Sequence, residues 1–537
     1  MKKRDSRTVT ILIPATEKTP EVSANVSLVE LEIALKQAIE NKDEAIALRF
    51  KGKSINLSVQ NVKSIVKTAR TQFAHHIGVP KVLEKYLSNL SITISSMSKE
   101  KLSARDEEIE KLWTCLCSEQ KSNAILVGEQ GVGKTTMAYE VVRRINAKKA
   151  PKQLLNYTVL EVNTLKLLEL ADRSMFAYEY TLNNLLEFMN VNKSKVILYI
   201  DNLLHVKCDL GLMKCFLLFV KTNNVKIIAS VSYDDFEKYF INDMALMKYM
   251  NPILLEEPEV EEIYPMLKTR IETLQKTYGV EISEKMIRFA ILTGLYLSSS
   301  NSSNPESTLD IINFALADAK RKEQKEVTKL NVLSYYYIDF KLAKRTNETD
   351  KWITAYHEVG HYLVSQMSDN IRNFKNAFVS ILPIEGALGL TATYWDSGKQ
   401  LTCSKDYYID EIAFSLGGRV GEAIYTSKFS SGAQQDLISA NAMAEKLVLA
   451  YGLADIDGEH NKNYMIGNYV KDFLLTDELR EKINKEISNI IDTAYKRAET
   501  IINENMELLK EIVDRLVEEG VLMGDELEEI CEKYKKI

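Results

Sequence analysis

Residues 357–361 read His357-Glu358-Val359-Gly360-His361. On a helix, positions i and i+4 lie on one face, so both imidazoles can reach a single Zn2+. Glu358, one residue on from His357, is then positioned to take a proton from a water activated by the ion. That is the arrangement a metal-dependent peptidase needs. Two of the chain's six His are spent on it. A helix with two solvated His is the alternative, and a third ligand would decide between them. A second constellation lies upstream. Gly128-Glu129-Gln130-Gly131-Val132-Gly133-Lys134-Thr135 fits GxxxxGK[ST], follows the apolar run Ala124–Val127 and opens a helical pattern. Gly128, Gly131 and Gly133, with Val132, let backbone N–H groups wrap phosphates. Lys134 would reach the β and γ phosphates of ATP, and Thr135, followed by Thr136, would hold Mg2+.

The elements around these motifs follow from periodicity. Ala124–Val127, Tyr157–Val162, Lys195–Ile200 and Lys226–Val231 read as buried strands, with a helix at Thr135–Asn146. Strands alternating with helices argue for a parallel α/β sheet. Val196–Ile200 ends in Asp201, an acid at a strand end suited to hold Mg2+ through water. The next residue is Asn202, which cannot accept a proton from an attacking water as a Glu would, so slow hydrolysis is expected. Residues 256–345 turn helical, with a Ser/Asn-rich loop at Ser298–Ser307. After 350 helices dominate, except for strand-like Phe378–Leu382 and Leu388–Tyr394. Residues 1–100 read as a small α+β region, with strand patterning at Thr8–Ile13 and Ala45–Leu57 and helical patterning at Leu28–Ile39 and Val62–Ala74. The adjacent pair His75-His76 there has no third partner and reads as a loop.

Composition narrows the class. At 537 residues, about three to four domains are expected. A 45% hydrophobic and 27% charged content suits ordinary globular cores. A net charge of −6 offers no electrostatic case for nucleic acid. Cys115, Cys117, Cys208, Cys215, Cys403 and Cys531 lack zinc-finger spacing and suit a reducing cytoplasm better than a disulfide framework. The apolar stretch Val9–Pro14 is too short for a signal-peptide core, and no run reaches the roughly 18 apolar residues of a transmembrane helix.

From about 104 to 315 the chain resembles the first ATPase module of the Clp/Hsp100 unfoldases of the AAA+ class. The likeness rests on Ala104-Arg105-Asp106-Glu107-Glu108-Ile109-Glu110 before the P-loop and on Met244-Ala245-Leu246 through Glu257-Pro258 at the passage into the lid. The resemblance implies an inter-subunit arginine between Leu246 and Pro252; Met247-Lys248-Tyr249-Met250 stands there instead, and a Lys is not a bidentate Arg. It also implies a water-orienting sensor near Ser232 and a substrate-gripping aromatic near Arg173-Ser174-Met175-Phe176, with Phe176 the candidate. Asn202, Lys248 and Tyr249 are thus degenerate ATPase positions.

From about 350 to 535 the chain resembles the peptidase domain of the FtsH family of AAA-linked zinc proteases. The residues that carry this are Thr354–His361, Ile381-Leu382-Pro383 through Ala387-Leu388-Gly389, Leu416-Gly417-Gly418-Arg419 with Glu422, Gly432-Ala433 with Asp436, and the tail Asp477–Leu527 including Tyr495 and Arg497. By spacing alone Asp436 is one acid among many; the resemblance makes it the third zinc ligand beside His357 and His361, with Glu358 catalytic and Glu422 orienting a ligand. The family usually carries transmembrane helices before its ATPase, where this chain has residues 1–100. The expected organisation is therefore an N-terminal α+β region (1–100), an α/β AAA+ P-loop domain with a parallel sheet (101–255), its helical lid (256–345) and a mainly α-helical zinc peptidase domain (346–537). The expected partners are protein or peptide substrates and further copies of the chain in a ring, a hexamer being one size. Zn2+, ATP and Mg2+ are the expected cofactors. The alternative is an ATP-binding, poorly hydrolysing switch or scaffold whose peptidase acts on unfolded peptides.

Overall fold

A computed structural model describes residues 105–192, 195–222, 225–297, 303–336, 347–371, 374–384, 387–395, 402–456, 459–460 and 477–534, with shorter stretches between 8 and 96. Contacts divide the chain into two compact units, Met1–Thr269 and Arg270–Ile537. Among the described residues no helix is long and apolar enough to cross a membrane. His75-His76 and most of Val62–Ala74 lie outside the described residues.

In the first unit, β1 (Thr8–Ile13) and β2 (Val22–Ser27) form an antiparallel pair ahead of the helix Leu28–Asn41. The stretch Ala45–Leu57, expected to carry strand-like alternation, holds two strands, β3 (Ala45–Phe50) and β4 (Lys53–Ser58), paired antiparallel. Alternation holds on both arms, so period-two patterning does not betray the break between them.

The larger sheet contains β5 (Leu87–Asn89), β6 (Asn123–Val127), β7 (Thr158–Val162), β8 (Val196–Ile200), β9 (Lys226–Val231) and β10 (Met250–Leu254), in the order β10-β6-β9-β8-β7-β5. β10 through β7 are mutually parallel, as the α/β reading expects. Strands β6 and β8 are buried along their whole length, which is why they read as continuous apolar runs. β5 adds antiparallel to β7, and Leu83, Leu87 and Leu90 join the sheet's two cores. The segment from about residue 83 is thus built into this sheet, so the expected boundary at 100 falls after its first strand.

In the second unit, helices Glu284–Leu297, Glu306–Arg321 and Lys329–Leu333 precede the helix Glu348–Met367. The loop expected over Ser298–Ser307 ends earlier, because Glu306 already opens a helix. β11 (Phe374–Ser380) and β12 (Leu390–Trp395) lie shifted from the expected Phe378–Leu382 and Leu388–Tyr394. After a two-residue ladder of β13 (Asp455–Ile456) and β14 (Glu459–His460), β15 (Val521–Met523) joins β11 on the side away from β12. Helices Lys405–Thr426, Gln434–Leu449, Asp477–Glu504, Met506–Glu519 and Gly524–Tyr534 complete the mainly helical fold around one apolar core. Helix Glu284–Leu297 packs on β11 and β12, with Phe289 edge-on to Phe378 at 5.4 Å between ring centroids. Residues 270–336 therefore belong to the same compact unit as the helices that follow.

Candidate functional site

The helix Glu348–Met367 starts cleanly because the Asn347 side chain accepts a hydrogen bond from the Asp350 N–H. Its inner face packs on the helix Lys405–Thr426 more extensively than on any other element. Glycine permits the approach. A Cβ on Gly360 would lie 2.3 Å from the Gly417 carbonyl oxygen, and one on Gly417 would lie 2.7 Å from the Gly360 carbonyl oxygen. A Cβ on Gly418 would sit 2.5 Å from His361 Nε2 and 2.6 Å from His357 Nε2. The Leu416-Gly417-Gly418 run is thus the floor on which the two imidazoles rest.

Each imidazole is oriented from behind. His357 Nδ1 lies 2.8 Å from Glu422 Oε1, and His361 Nδ1 lies 2.7 Å from the Phe414 carbonyl oxygen. A carboxylate and a carbonyl can only accept, so both Nδ1 atoms carry protons and both Nε2 atoms present lone pairs. Those Nε2 atoms lie 3.1 Å apart, with Asp436 Oδ2 at 3.2 Å from one and 3.6 Å from the other. His357, His361 and Asp436 are the residue set among the described residues that could grip a metal ion. Ligands about 2.1 Å from a tetrahedral Zn2+ sit roughly 3.4 Å from one another, which this triangle matches.

The electrostatics agree. Burial opposes charge on His357, yet hydrogen bonds to Asp436 and Glu422 overcome it and push its pKa up to about 10. Burial likewise opposes ionisation of Asp436, but its bonds to His357 and His361 hold its carboxyl well below the usual range. Glu422 is lowered by His357 and Ser430 against the same desolvation. Positive charge is strongly favoured at the point where three donor atoms converge, so the residues fit a divalent cation. His, His and Asp leave a fourth position open, as a catalytic rather than structural zinc site does.

Glu358 is buried, and desolvation raises its pKa. The Thr391 hydroxyl on β12 lies 2.7 Å from Glu358 Oε2 and 2.9 Å from the Glu358 carbonyl oxygen. Space for the carboxylate comes from Gly389, where a Cβ would approach Glu358 Oε1 to 2.8 Å. Thr391 and the Phe414 carbonyl were not foreseeable from sequence. One is a single Thr in a β-strand and the other a main-chain group, so neither leaves a residue-type signal.

The P-loop turns as its glycines require. Gly131 and Gly133 have φ of 91° and 100°, in the region that favours glycine. A Cβ on Gly128 would meet the Leu255 carbonyl oxygen at 2.5 Å. Lys134 Nζ donates to the carbonyls of Gly128 and Glu129, each at 2.7 Å, at the start of the helix Lys134–Asn146. Asp201 accepts from Ser230 Oγ at 2.6 Å and Tyr199 Oη at 3.0 Å, and Tyr199 also bonds Thr135. The P-loop and the strand-end acid are therefore assembled together; Ser230 and Tyr199 escaped the sequence reading as ordinary strand residues.

The degenerate positions are occupied by local structure. Asn202 has φ 55°, and its Oδ1 caps the helix Leu203–Cys208 through the Leu204 N–H at 3.2 Å. Its Nδ2 faces His205 Nε2 at 3.4 Å. Lys248 stands over the Tyr249 ring at 5.7 Å. The Ser232 hydroxyl caps the next turn, bonding both Asp235 Oδ2 and the Asp235 N–H, so it is committed to that turn. Phe176 is 83% exposed at the start of the helix Met175–Asn192, free for an intermolecular contact.

Comparison with known proteins follows the same division. Residues 344–530 match Peptidase family M41. An ATP-dependent zinc metalloprotease FtsH 1 of Thermoanaerobacter sp. (strain X514) is 33% identical over 196 residues, 35% of this chain and 32% of that protein. An ATP-dependent zinc metalloprotease FtsH of Helicobacter felis is 26% identical over 308 residues, 55% of this chain and 46% of that protein. A chaperone protein ClpB of Malacoplasma penetrans is 28% identical over 249 residues, 44% of this chain and 35% of that protein. The chain spans about a third to a half of the length of these curated relatives.

Proposed function

We propose that this chain, whose residues 344–530 form a Peptidase family M41 domain, is a nucleotide-binding zinc metalloendopeptidase acting on protein substrates. The observation that carries the reading is the convergence of two imidazole lone pairs and one carboxylate oxygen within 3.1–3.6 Å, with Glu358 alongside. Zn2+ held by His357, His361 and Asp436 would polarise the scissile carbonyl and acidify the attacking water. The chain's own groups do the remaining work. Glu422 and the Phe414 carbonyl hold the two imidazoles as Nδ1–H tautomers, which leaves Nε2 free to bind. Glu358, steadied by Thr391, accepts the proton of the attacking water and passes it to the leaving amine. Its burial keeps the carboxylate out of bulk water, and so basic enough for the task.

Cleavage of a loosely folded protein, with zinc and ATP supplied at several enzyme concentrations, tests this. The chain should cleave it, and Glu358→Gln should retain zinc while losing cleavage. Intact substrate throughout would sink the proposal.

A second reading concerns the nucleotide. ATP and Mg2+ are assigned to Gly128–Thr136 and Asp201, but Asn202 caps a helix and Lys248 leans on Tyr249. These side chains support binding with slow turnover, so that ATP holds an assembly of several copies, a ring being one form, rather than driving it. Turnover no faster than that of Lys134→Ala supports this, and brisk turnover contradicts it. Six free thiols suit a reducing compartment, and we assign the cytoplasm.

A further inference from the structure

The loop between the helices Lys405–Thr426 and Gln434–Leu449 leads from one side of the metal centre to the other. Glu422, which orients His357, lies near the end of the first helix, and Asp436 lies in the first turn of the second. The loop is wound back on the end of the first helix. Ser427 takes a left-handed φ of 54°, and its N–H closes the helix on the Ala423 carbonyl at 2.8 Å. The Thr426 hydroxyl lies 2.9 Å from the Glu422 carbonyl oxygen and accepts from the Lys428 N–H at 3.1 Å. The chain therefore turns around Glu422 instead of running away from it.

Ser430 then meets the Glu422 carboxylate itself. Its N–H donates to Glu422 Oε2 at 3.2 Å, while Oε1 of the same carboxylate lies 2.8 Å from His357 Nδ1. One oxygen thus serves the metal ligand and the other serves the loop. The Ser430 hydroxyl accepts from the Gly432 N–H at 2.9 Å, which leaves its own proton for the carboxylate. Burial opposes the charge on Glu422, and bonds from His357 and from the hydroxyl and N–H of Ser430 overcome it. Gly432 lies against the same group, since a Cβ there would stand 3.0 Å from Glu422 Oε1 and 3.1 Å from Ser430 Oγ. A Glu side chain has several free rotations, and one held at a single oxygen can still swing. Held at both oxygens, it presents Oε1 to His357 in one orientation. Beyond Gly432 the chain enters the second helix, with the Gln434 N–H on the Ser431 carbonyl at 3.3 Å and Ala433 buried, and Asp436 follows within that turn.

We propose that Ser430 is a positioning residue of the metal centre: it holds the Glu422 carboxylate that orients His357, and so locks the loop that delivers Asp436 to the ligand set. The inference rests on the reading of this centre as a zinc site. Ser430 is placed to touch neither metal nor substrate and acts through Glu422. Outer partners of a ligating His contribute about 10- to 100-fold to metal affinity, and Ser430 stands one bond further out, so its hydroxyl should account for about 3- to 10-fold. A serine that only shaped the turn, by accepting from the Gly432 N–H, would act independently of Glu422.

Zinc competition against a chromogenic chelator, run on the full chain, reads this without turnover. Ser430→Ala should weaken zinc binding by the factor given above, and Ser430→Thr, which returns the hydroxyl, should recover most of the loss. In a Glu422→Ala background the same Ser430→Ala change should have no further effect, because residues that act through one another are not additive. Co2+ in place of zinc supplies a spectroscopic reading, and its visible bands should shift in Ser430→Ala and return in Ser430→Thr. Wild-type zinc affinity in Ser430→Ala, or an equal loss in both backgrounds, overturns this inference alone, while cleavage by the wild type keeps the proteolytic reading. A wild type that takes up no zinc overturns both.

Discussion

The peptidase centre and the nucleotide site differ in where their polar side chains point. At the first, His357, His361 and Asp436 face one another across a gap that fits an ion, with Glu422 and the Phe414 carbonyl behind the imidazoles and Thr391 behind Glu358. Two imidazole nitrogens 3.1 Å apart beside a carboxylate oxygen favour positive charge at that point, whether a proton or a metal ion brings it. At the second, the P-loop glycines and Asp201 are arranged for a nucleotide, but Asn202, Ser232 and Lys248 have turned inward to cap helices or lean on a neighbouring ring. A site kept for chemistry leaves its polar groups dependent on a ligand. On the slow-turnover reading proposed above, a site released from chemistry lets local structure absorb them.

The sharpest way to break the contrast is steric. Gly418→Ala introduces a methyl 2.5 Å from His361 Nε2 and 2.6 Å from His357 Nε2, far inside van der Waals contact. We expect proteolysis to fall more than 100-fold and zinc to be lost, with ATP binding unchanged in an equilibrium titration, because overpacked sites cost about 1–3 kcal/mol or displace their neighbours. Wild-type zinc content would mean that the glycine floor is not needed. Next in size, Glu422→Gln should weaken zinc binding about 10- to 100-fold in a competition assay, since it loosens the imidazole while leaving all three ligands.

Asn202→Glu probes the other region. ATP turnover should rise several-fold as an acid returns to the strand end. The same change removes a cap and puts a longer side chain at a left-handed position, so the thermal stability of the first unit should drop by roughly 1–3 kcal/mol. A rise in turnover without a loss of stability would argue against the capping role.

The smallest effect concerns pH. Asp318 is buried, and despite desolvation its bonds to Lys322, Asn331 and Arg321 lower its pKa to about 2. A depressed carboxyl stabilises above its unfolded pKa of roughly 3.9. Denaturant midpoints of the second unit should therefore fall between about pH 4 and 2, and Asp318→Asn should flatten that slope.

Legibility tracked sequence distance. The P-loop and HEVGH are contiguous, so residue type and spacing exposed them. Asp436 sits on another helix and needed resemblance to be singled out. Thr391 and Ser230 reach their sites from other elements through one hydroxyl each, and nothing in their local sequence differs from an ordinary strand. The same limit hid the split of Ala45–Leu57 into β3 and β4, and the pairing of β5 with β7, which joins residues 87–89 to a sheet some 70 residues on.

The account's central claim is that the peptidase centre is chemically complete without a working motor. Its most direct test is degradation of a loosely folded protein with ATP, with a non-hydrolysable ATP analogue, and with a zinc chelator. The account expects equal rates with the two nucleotides and none after chelation. Cleavage that stops with the analogue, or that survives removal of zinc, would contradict it.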